Sequence, residues 1–470
     1  MTLHRNLRPI TICWSGLTYP LCGMTFHATQ VEDGHPTSCI MRSRSSPSRN
    51  CLTFQRTNQF HMSKPTKLIV LGLSFLLATL VVAGGLGVKA STNNDDSYRQ
   101  IEVYSEVLSR IRTEYVEDPN VPAVTNGALH GLLESLDANS SYLDPAEYKE
   151  YKQRKDEGKA TIGATLSKRF GYAAVVSVIP GGPADKAGVD SGDIVEAIEG
   201  KSTREMSLAE IDGMLAGQPG SVVNLSVVRP RKAAPAKTAI TREIVTEPPV
   251  TFKTLEEGIG YIKVDDFPKG RSQEVSAKLK DLEKSGAKKL VLDLRNSGSG
   301  DEDEGIATAN LFLNHGTISY LQGQKYPKQT FNADPQKAVA PSIPLVVLVN
   351  RGTAGPAEIV AAAIMENARG DVIGDKTFGS GSIQKVIEMK DGSALLLSVA
   401  KYYSPSGKAL QDTAVTPNIL VADSSEDFVG PDDEENPQAE EKQEKEKKAA
   451  PDDQLKRAID VLKNPAQKPA

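Results

Sequence analysis

Side chains able to do nucleophilic or acid–base chemistry concentrate in three glycine-punctuated stretches: VLDLRNSGSG (291–300), VNRGTAGPAEI (349–359) and KTFGSGSIQ (376–384). Thr353, Ser380 and Ser382 supply hydroxyls, and Lys376 supplies an amine four residues before Ser380. A hydroxyl becomes a nucleophile when a neighbouring base takes its proton. On a helix, that spacing of four would put Lys376 and Ser380 on one face. Gly374, Gly379 and Gly381 make the stretch read as a strand and turn instead, so the spacing does not enforce the pair. A serine–histidine–aspartate triad would have to draw on His130 or His315, and each reads better as a structural or surface residue. The run Asp301-Glu302-Asp303-Glu304 could hold a cation or a basic peptide end. It reads more simply as a loop entering a helix, where acids suit the dipole of the first turn. Asp293 and Arg295 read as residues that hold the loop after them. Cys13, Cys22, Cys39 and Cys51 are spaced by 9, 17 and 12 residues, which matches no zinc template. Neither a metal site nor a cofactor is expected.

The elements that must position these stretches follow from periodicity. Residues 248–422 alternate strands and helices. GIGYIKVDDF (Gly258–Phe267), KKLVLDLRNSGSG and IPLVVLVN read as strands, and Ser272–Ser285 and GPAEIVAAAIMENA read as helices. Gly355 at the N-cap and Pro356 at the first helical position make a good helix start. Such alternation implies a largely parallel sheet covered by helices. Residues 158–232 change character: AAVVSVI and SVVNLSVV alternate as strands, and Ser207 and Glu210 form a capping box. Residues 96–157 read as helices, with Ile101, Tyr104, Val107, Leu108 and Ile111 at helical spacing, and with Pro145 opening a later helix behind Asp144 as its N-cap.

The two ends differ from this middle. Leu68–Val88 is a run of 21 residues without a charge, preceded by Lys64 and Lys67 and followed by Val88-Lys89-Ala90. Residues 62–90 therefore read as a secretory signal or an uncleaved membrane anchor. A signal normally begins at the N-terminus, so translation from Met62 would make residues 1–61 a non-native extension. Asp423–Asp453 carries 13 acidic and 4 basic residues, a net of -9. Such a segment buries too little to offset its ordering entropy, and residues 423–470 read as an acidic disordered tail with one short amphipathic helix, QLKRAIDVLK. The whole chain of 470 residues is near balance at -5, which argues against nucleic-acid binding driven by overall basicity.

Two resemblances go further. PGGPADKAGVDSGDIVEAIEGKS (180–202) resembles the phrase of PDZ modules in bacterial envelope proteases. A PDZ module binds a terminal carboxylate on backbone N–H groups and takes the peptide as an added strand. That implies peptide contacts at Ile162, Gly163, Ala164, Thr165 and Leu166. SLDANSSYL, GYIKVDDF, VLDLRNSGSG, VVLVNRGTAGPAEIVAAAI, KTFGSGSIQ and AKYYSPSGKALQ, in this order, resemble the carboxyl-terminal processing (tail-specific) serine proteases. The resemblance implies a multidomain α+β chain: an N-terminal helical region, a PDZ domain and an α/β protease-like core carrying a Ser–Lys dyad assisted by Gln. Carried over residue by residue, the nucleophile position is Gly355, the base position is Ser380, and Gln384 alone is retained. The oxyanion donors would come from Gly300 and from residue 356, but Pro356 has no N–H. The expected protein is an envelope pseudoprotease, exported to the periplasm or anchored facing it. Its partners are protein C-termini or unstructured polypeptides, with homo-oligomerisation compatible. The alternative is a serine-type peptidase with a rearranged site.

Overall fold

The computed structural model describes residues 64–87, 93–156, 160–169, 171–229, 234–422 and 452–464. The four cysteines, the extension read in residues 1–61 and most of the acidic segment lie outside these residues. Helix α1 (Lys64–Gly87) covers the apolar run. Among the described residues no helix is long and apolar enough to cross a membrane. Lys64 and Lys67 occupy the first turn of α1 and Gly84, Gly85 and Gly87 its last.

The N-terminal helical region contains α2 (Asn93–Glu114), α3 (Val121–Glu134) and α4 (Pro145–Asp156), with the short strand β1 (Ser141–Leu143) between the last two. The Asp144 carboxylate accepts from the N–H groups of Ala146 and Glu147, and the Glu147 carboxylate accepts in turn from the Asp144 N–H. This is the cap expected from the sequence.

The second module is a sheet of β2 (Ala164–Arg169), β3 (Tyr172–Val178), β4 (Ile194–Ile198), β6 (Val222–Val228) and β7 (Ala236–Thr241), in that order, with β5 (Lys201–Ser202) beside β4. The short helix α5 (Pro183–Lys186) and α6 (Leu208–Leu215) complete it. Ser207 and Glu210 form the reciprocal capping box at the start of α6. Ile162, Leu166, Val175, Val195, Ile211, Leu215, Val223 and Leu225 fill its core. Among the described residues strand β2 is the terminal strand of its sheet, and no described strand pairs with its outer backbone edge.

The core holds two further sheets. The first runs β8 (Thr251–Thr254), β9 (Ile259–Lys263), β10 (Lys289–Asp293), β13 (Leu345–Val349), β14 (Asp371–Gly374) and β17 (Ile419–Leu420), and every pair except β8–β9 is parallel. Its strands are apolar on both sides, as doubly covered parallel strands must be. Ile262, Leu290, Leu292, Val347 and Val349 face a cluster shared with α7 (Arg271–Lys284), α8 (Glu302–Asn310) and α9 (Pro356–Glu366). Ile259, Tyr261, Val291, Val346, Leu348 and Ile373 face the other way, onto α10 (Asp453–Lys463). The QLKRAIDVLK helix is thus a docked part of the core and not part of a disordered tail: Ala458 and Leu462 are buried on the sheet.

The second core sheet was not anticipated. It is antiparallel, in the order β1, β16 (Ala394–Tyr403), β11 (Thr317–Gln322), β12 (Gln329–Asn332), with β15 (Ser382–Glu388) along the other side of β16. Strand β1 pairs with β16 through Ser141 and Leu396, so the N-terminal helical region contributes a strand to the core.

Candidate active site

The three glycine-punctuated stretches follow the carboxyl ends of β10, β13 and β14, and in open parallel sheets ligands bind at that edge. Asn350 stitches the first two together. Its Oδ1 accepts from Asn296 N–H at 2.9 Å and Gly352 N–H at 3.0 Å, and its amide donates to Asn296 Oδ1 at 2.8 Å. Thr353 Oγ1 donates to the Leu294 carbonyl at 2.8 Å, and Ala354 N–H donates to the Ser297 carbonyl at 2.9 Å. Thr353 is therefore a buried structural hydroxyl and not a free nucleophile. Asn296 adopts φ +59°, a left-handed conformation that asparagine tolerates better than most residues. Ser297 is fully buried, and its hydroxyl has no hydrogen-bond partner among the described residues.

Gly355 sits at the start of α9 with φ 56° and ψ -118°. Side-chain-bearing residues hold this region only under strain, and such strain clusters at functional turns. A Cβ built at Gly355 would meet nothing within 4 Å. The turn would thus project a side chain into open space, and the chain places none there. Pro356 follows at the first helical position and offers no N–H.

The third stretch is held by Glu358, one turn into α9. Its carboxylate is fully buried and accepts from Gly355 N–H at 3.1 Å, Gly379 N–H at 2.9 Å and Ser380 N–H at 2.8 Å, and it pairs with the Thr377 hydroxyl. Burial pushes its pKa up to about 7, against the opposing pull of these hydrogen bonds. One carboxyl thereby brings Gly355 and Ser380 to the same oxygen, Oε2. Glu358 does not stand out in the sequence as a site residue. The available signal was its place three residues after the N-cap, where a carboxylate reaches back to the cap N–H.

The remaining expected residues disperse. The segment from Asp375 to Gly381 is neither helix nor strand, Lys376 is exposed, and Ser380 is half-buried, so the two do not share a helical face. Gln384 lies on β15, where its amide donates to Ser382 Oγ at 2.8 Å; Asn139 donates to the same oxygen at 3.0 Å. His130 stacks edge-on against Tyr142 and lies 3.7 Å from Glu147, and His315 contacts Asn314. Gly300 has φ +124°, and a Cβ there would lie 2.4 Å from the Phe267 backbone. That close approach pins the glycine-rich loop to the end of the β9 segment, with Phe267 N–H bound to the Ser299 carbonyl and Asp301 N–H to the Phe267 carbonyl. The acidic run begins α8, as expected: Asp301 caps it, and Glu304 reaches across to the N–H groups of Gly270 and Ser272 at the start of α7. Among the described residues no group of three His, Cys, Asp or Glu side chains is arranged to hold a metal ion.

Arg295 anchors the base of the first loop against Asp293, with Nη2 to Oδ2 at 2.6 Å. Burial works against the Asp293 charge, but the guanidinium outweighs it and holds the carboxyl below its usual range. Tyr261 donates to the same carboxylate at 2.7 Å.

In the second module, Gly163 takes φ +72° and lies against Pro183 and Val245. The Ile162 carbonyl accepts from Ala184 N–H and the Gly163 carbonyl from Ile179 N–H, so the turn is fixed before β2 begins at Ala164. Thr165 and Leu166 flank a bulge in the β2–β3 pairing. This module also touches the core loops. A Cβ at Gly298 would strike Ser177 Oγ at 2.5 Å, and one at Gly352 would come within 3.0 Å of Ser191 Oγ. That contact requires glycine at 298; at 352 the closer approach is to Asn296 Oδ1, at 2.6 Å.

Comparison with known proteins agrees with this architecture. The profile of peptidase family S41 matches residues 258–421, and that of a PDZ domain matches residues 175–229. A carboxy-terminal-processing protease of Bartonella bacilliformis is 32% identical over 353 residues, covering 74% of this chain and 80% of the relative. The carboxy-terminal processing protease CtpA of Bacillus subtilis is 30% identical over 346 residues, covering 73% of each. Among solved structures, a photosystem II D1 C-terminal processing protease superimposes with a TM-score of 0.59 at 27% identity, over 68% of this chain and 86% of that one. With a PDZ domain ahead of an S41 core and relatives of this identity and coverage, the chain belongs to the carboxy-terminal-processing protease family.

Proposed function

We propose that this chain is a non-hydrolysing member of the family that binds protein C-termini or unstructured polypeptides. The observation that carries the reading is Gly355. By the family resemblance it stands at the nucleophile position, on a turn with φ 56° and ψ -118°, and it has no oxygen to attack with. Two further losses point the same way. Ser380 stands where the family carries its lysine base, and Pro356 removes an N–H where an oxyanion would need one. Losing a single oxyanion donor costs about 3–4 kcal/mol of transition-state stabilisation.

What remains suits binding. The open edge of β2 beside α6, with the Gly163 turn at its start, is the arrangement by which a PDZ module adds a peptide strand and holds its carboxylate. The lysine-preceded apolar segment Leu68–Val88, read as a secretory signal or an uncleaved anchor, supports an envelope location for this binding, in the periplasm or facing it.

Calorimetry on the full chain tests the binding half of the proposal. Peptides with an apolar, free C-terminus should bind, and their amidated forms should bind at least about tenfold more weakly, a loss of about 1.4 kcal/mol. Equal affinity for both forms, or none for either, counts against carboxylate recognition.

A further inference from the structure

The Arg295 guanidinium has five N–H donors, and all five are engaged. Nε donates to both oxygens of Asp293, at 3.0 and 3.1 Å. Nη2 donates to Asp293 Oδ2 at 2.6 Å and to Asp452 Oδ2 at 2.8 Å. Nη1 donates to Asp452 Oδ1 at 2.9 Å and to Gln454 Oε1 at 3.3 Å. The planar fork thus joins two carboxylates that are far apart in sequence. Asp293 ends β10, and Asp452 is the N-cap of α10, where it also accepts from Leu455 N–H at 2.8 Å.

The residue after Arg295 is Asn296, the left-handed first residue of the glycine-rich loop that Asn350 stitches to the Gly355 turn. Lys263 donates to the Arg295 carbonyl at 3.0 Å, so the backbone here is fixed on that side too. On the helix side, Gln454 donates to the Val421 carbonyl at 2.9 Å, and Ala458 and Leu462 are buried on the sheet. Helix α10 is therefore seated by its own apolar face and its own hydrogen bonds. What it adds at its N-terminus is a carboxylate delivered to the arginine at the root of the loop.

We propose that α10 is a positioning element for the carboxyl edge of the parallel sheet, where the three glycine-punctuated stretches meet: docked on the sheet, it holds Arg295 through Asp452, and through Arg295 it holds the Asn296–Gly300 loop. This rests on the proposed polypeptide binding reaching that edge as well as the PDZ module. Arg295 and Asp452 are positioning residues, since neither is argued to touch the peptide. Without the Asp452 carboxylate, a largely buried guanidinium loses two of its five partners and must turn toward water to replace them. That frees the backbone beside Asn296.

Hydrogen exchange measured by mass spectrometry on the full chain tests the coupling. Asp452→Ser removes the carboxylate and keeps an N-cap hydroxyl, so α10 still has its cap. Lys463→Ala removes the 3.0 Å pair with Glu257 at the far end of the same helix and leaves Arg295 untouched. The expected result for Asp452→Ser is exchange about tenfold faster at residues 296–300, with α10 still protected, whereas Lys463→Ala leaves 296–300 at the wild-type rate. Arg295→Lys, which keeps the charge but cannot grip two carboxylates, should behave like Asp452→Ser. Unchanged exchange at 296–300 in Asp452→Ser, or an equal rise in Lys463→Ala, overturns the proposal. Faster exchange with unaltered peptide affinity upholds the coupling and counts against that sheet edge as a polypeptide site, so the two readings fail separately.

Discussion

Two glycine turns of this chain, at Gly163 and Gly355, are built in different ways. The Gly163 turn and the β2 edge work with backbone groups alone: a left-handed glycine, fixed carbonyls and a strand whose outer edge pairs with no described strand. The Gly355 turn is held by side chains around it and carries no side chain of its own. That contrast identifies what holds a catalytic scaffold together. The braces are Glu358, Asn350, Thr353 and Arg295, which bind backbone N–H and C=O groups or one another. None of them depends on a nucleophile or on a general base. Removing those two groups leaves a glycine–proline helix start that favours the same architecture. A fold match to proteases is therefore fully compatible with lost hydrolysis.

If the braces and not the reacting groups hold the turn, removing a brace should do the most damage. Glu358→Ala strips the acceptor from three buried N–H groups and the Thr377 hydroxyl. At about 1–3 kcal/mol for each buried donor left unsatisfied, partly relieved by relaxation, the expected loss is about 4 kcal/mol in denaturant unfolding. A loss under about 1 kcal/mol would mean that the turn does not rely on this carboxyl.

The same group sets a pH dependence in the core that the PDZ turn lacks. The folded pKa of Glu358, about 7, lies above its ordinary 4.5, so the fold prefers the protonated carboxyl. Its contribution to stability is fully present below about pH 4.5, declines as pH rises, and is gone above about pH 7. Between pH 5 and 8 the wild type should lose up to about 3 kcal/mol more than Glu358→Gln does, since a carboxyl held protonated costs about 1.4 kcal/mol for each pH step between its unfolded and folded values. Parallel pH profiles for the two proteins would contradict the assignment.

A milder effect is expected at the reacting position itself. The Cβ of Gly355→Ser meets no atom within 4 Å, so its main cost is conformational strain, about 1–3 kcal/mol. Gly300→Ala, which drives a Cβ to within 2.4 Å of the Phe267 backbone, should cost more than Gly355→Ser in the same unfolding assay. The reverse order would show that the open space at Gly355 is not available to a side chain.

The parallel sheet was readable in the sequence because strands buried on both faces carry continuous apolar runs, such as Leu345–Val349. The caps at Asp144, Ser207 and Gly355 were readable because their partners lie within a turn. The antiparallel sheet was not, since β1 meets β16 across about 250 residues and no local pattern encodes that pairing. The docking of α10 was also hidden: an amphipathic run of this length reads equally as docked or frayed until the sheet face beneath it is known. In the site, Gly355 and Ser380 were readable as letters that depart from the pattern of the resembled family. Glu358 was not, because its importance lies in which backbone groups converge on it.

Whether the Gly355 turn still supports hydrolysis is decided by incubating the full chain with an unstructured polypeptide bearing an apolar C-terminus and following the mass of that polypeptide over time. A turn without a nucleophile leaves the substrate intact, with the wild type and Ser380→Ala alike. Turnover by the wild type that disappears in Ser380→Ala would contradict the loss of hydrolysis and establish a rearranged serine site.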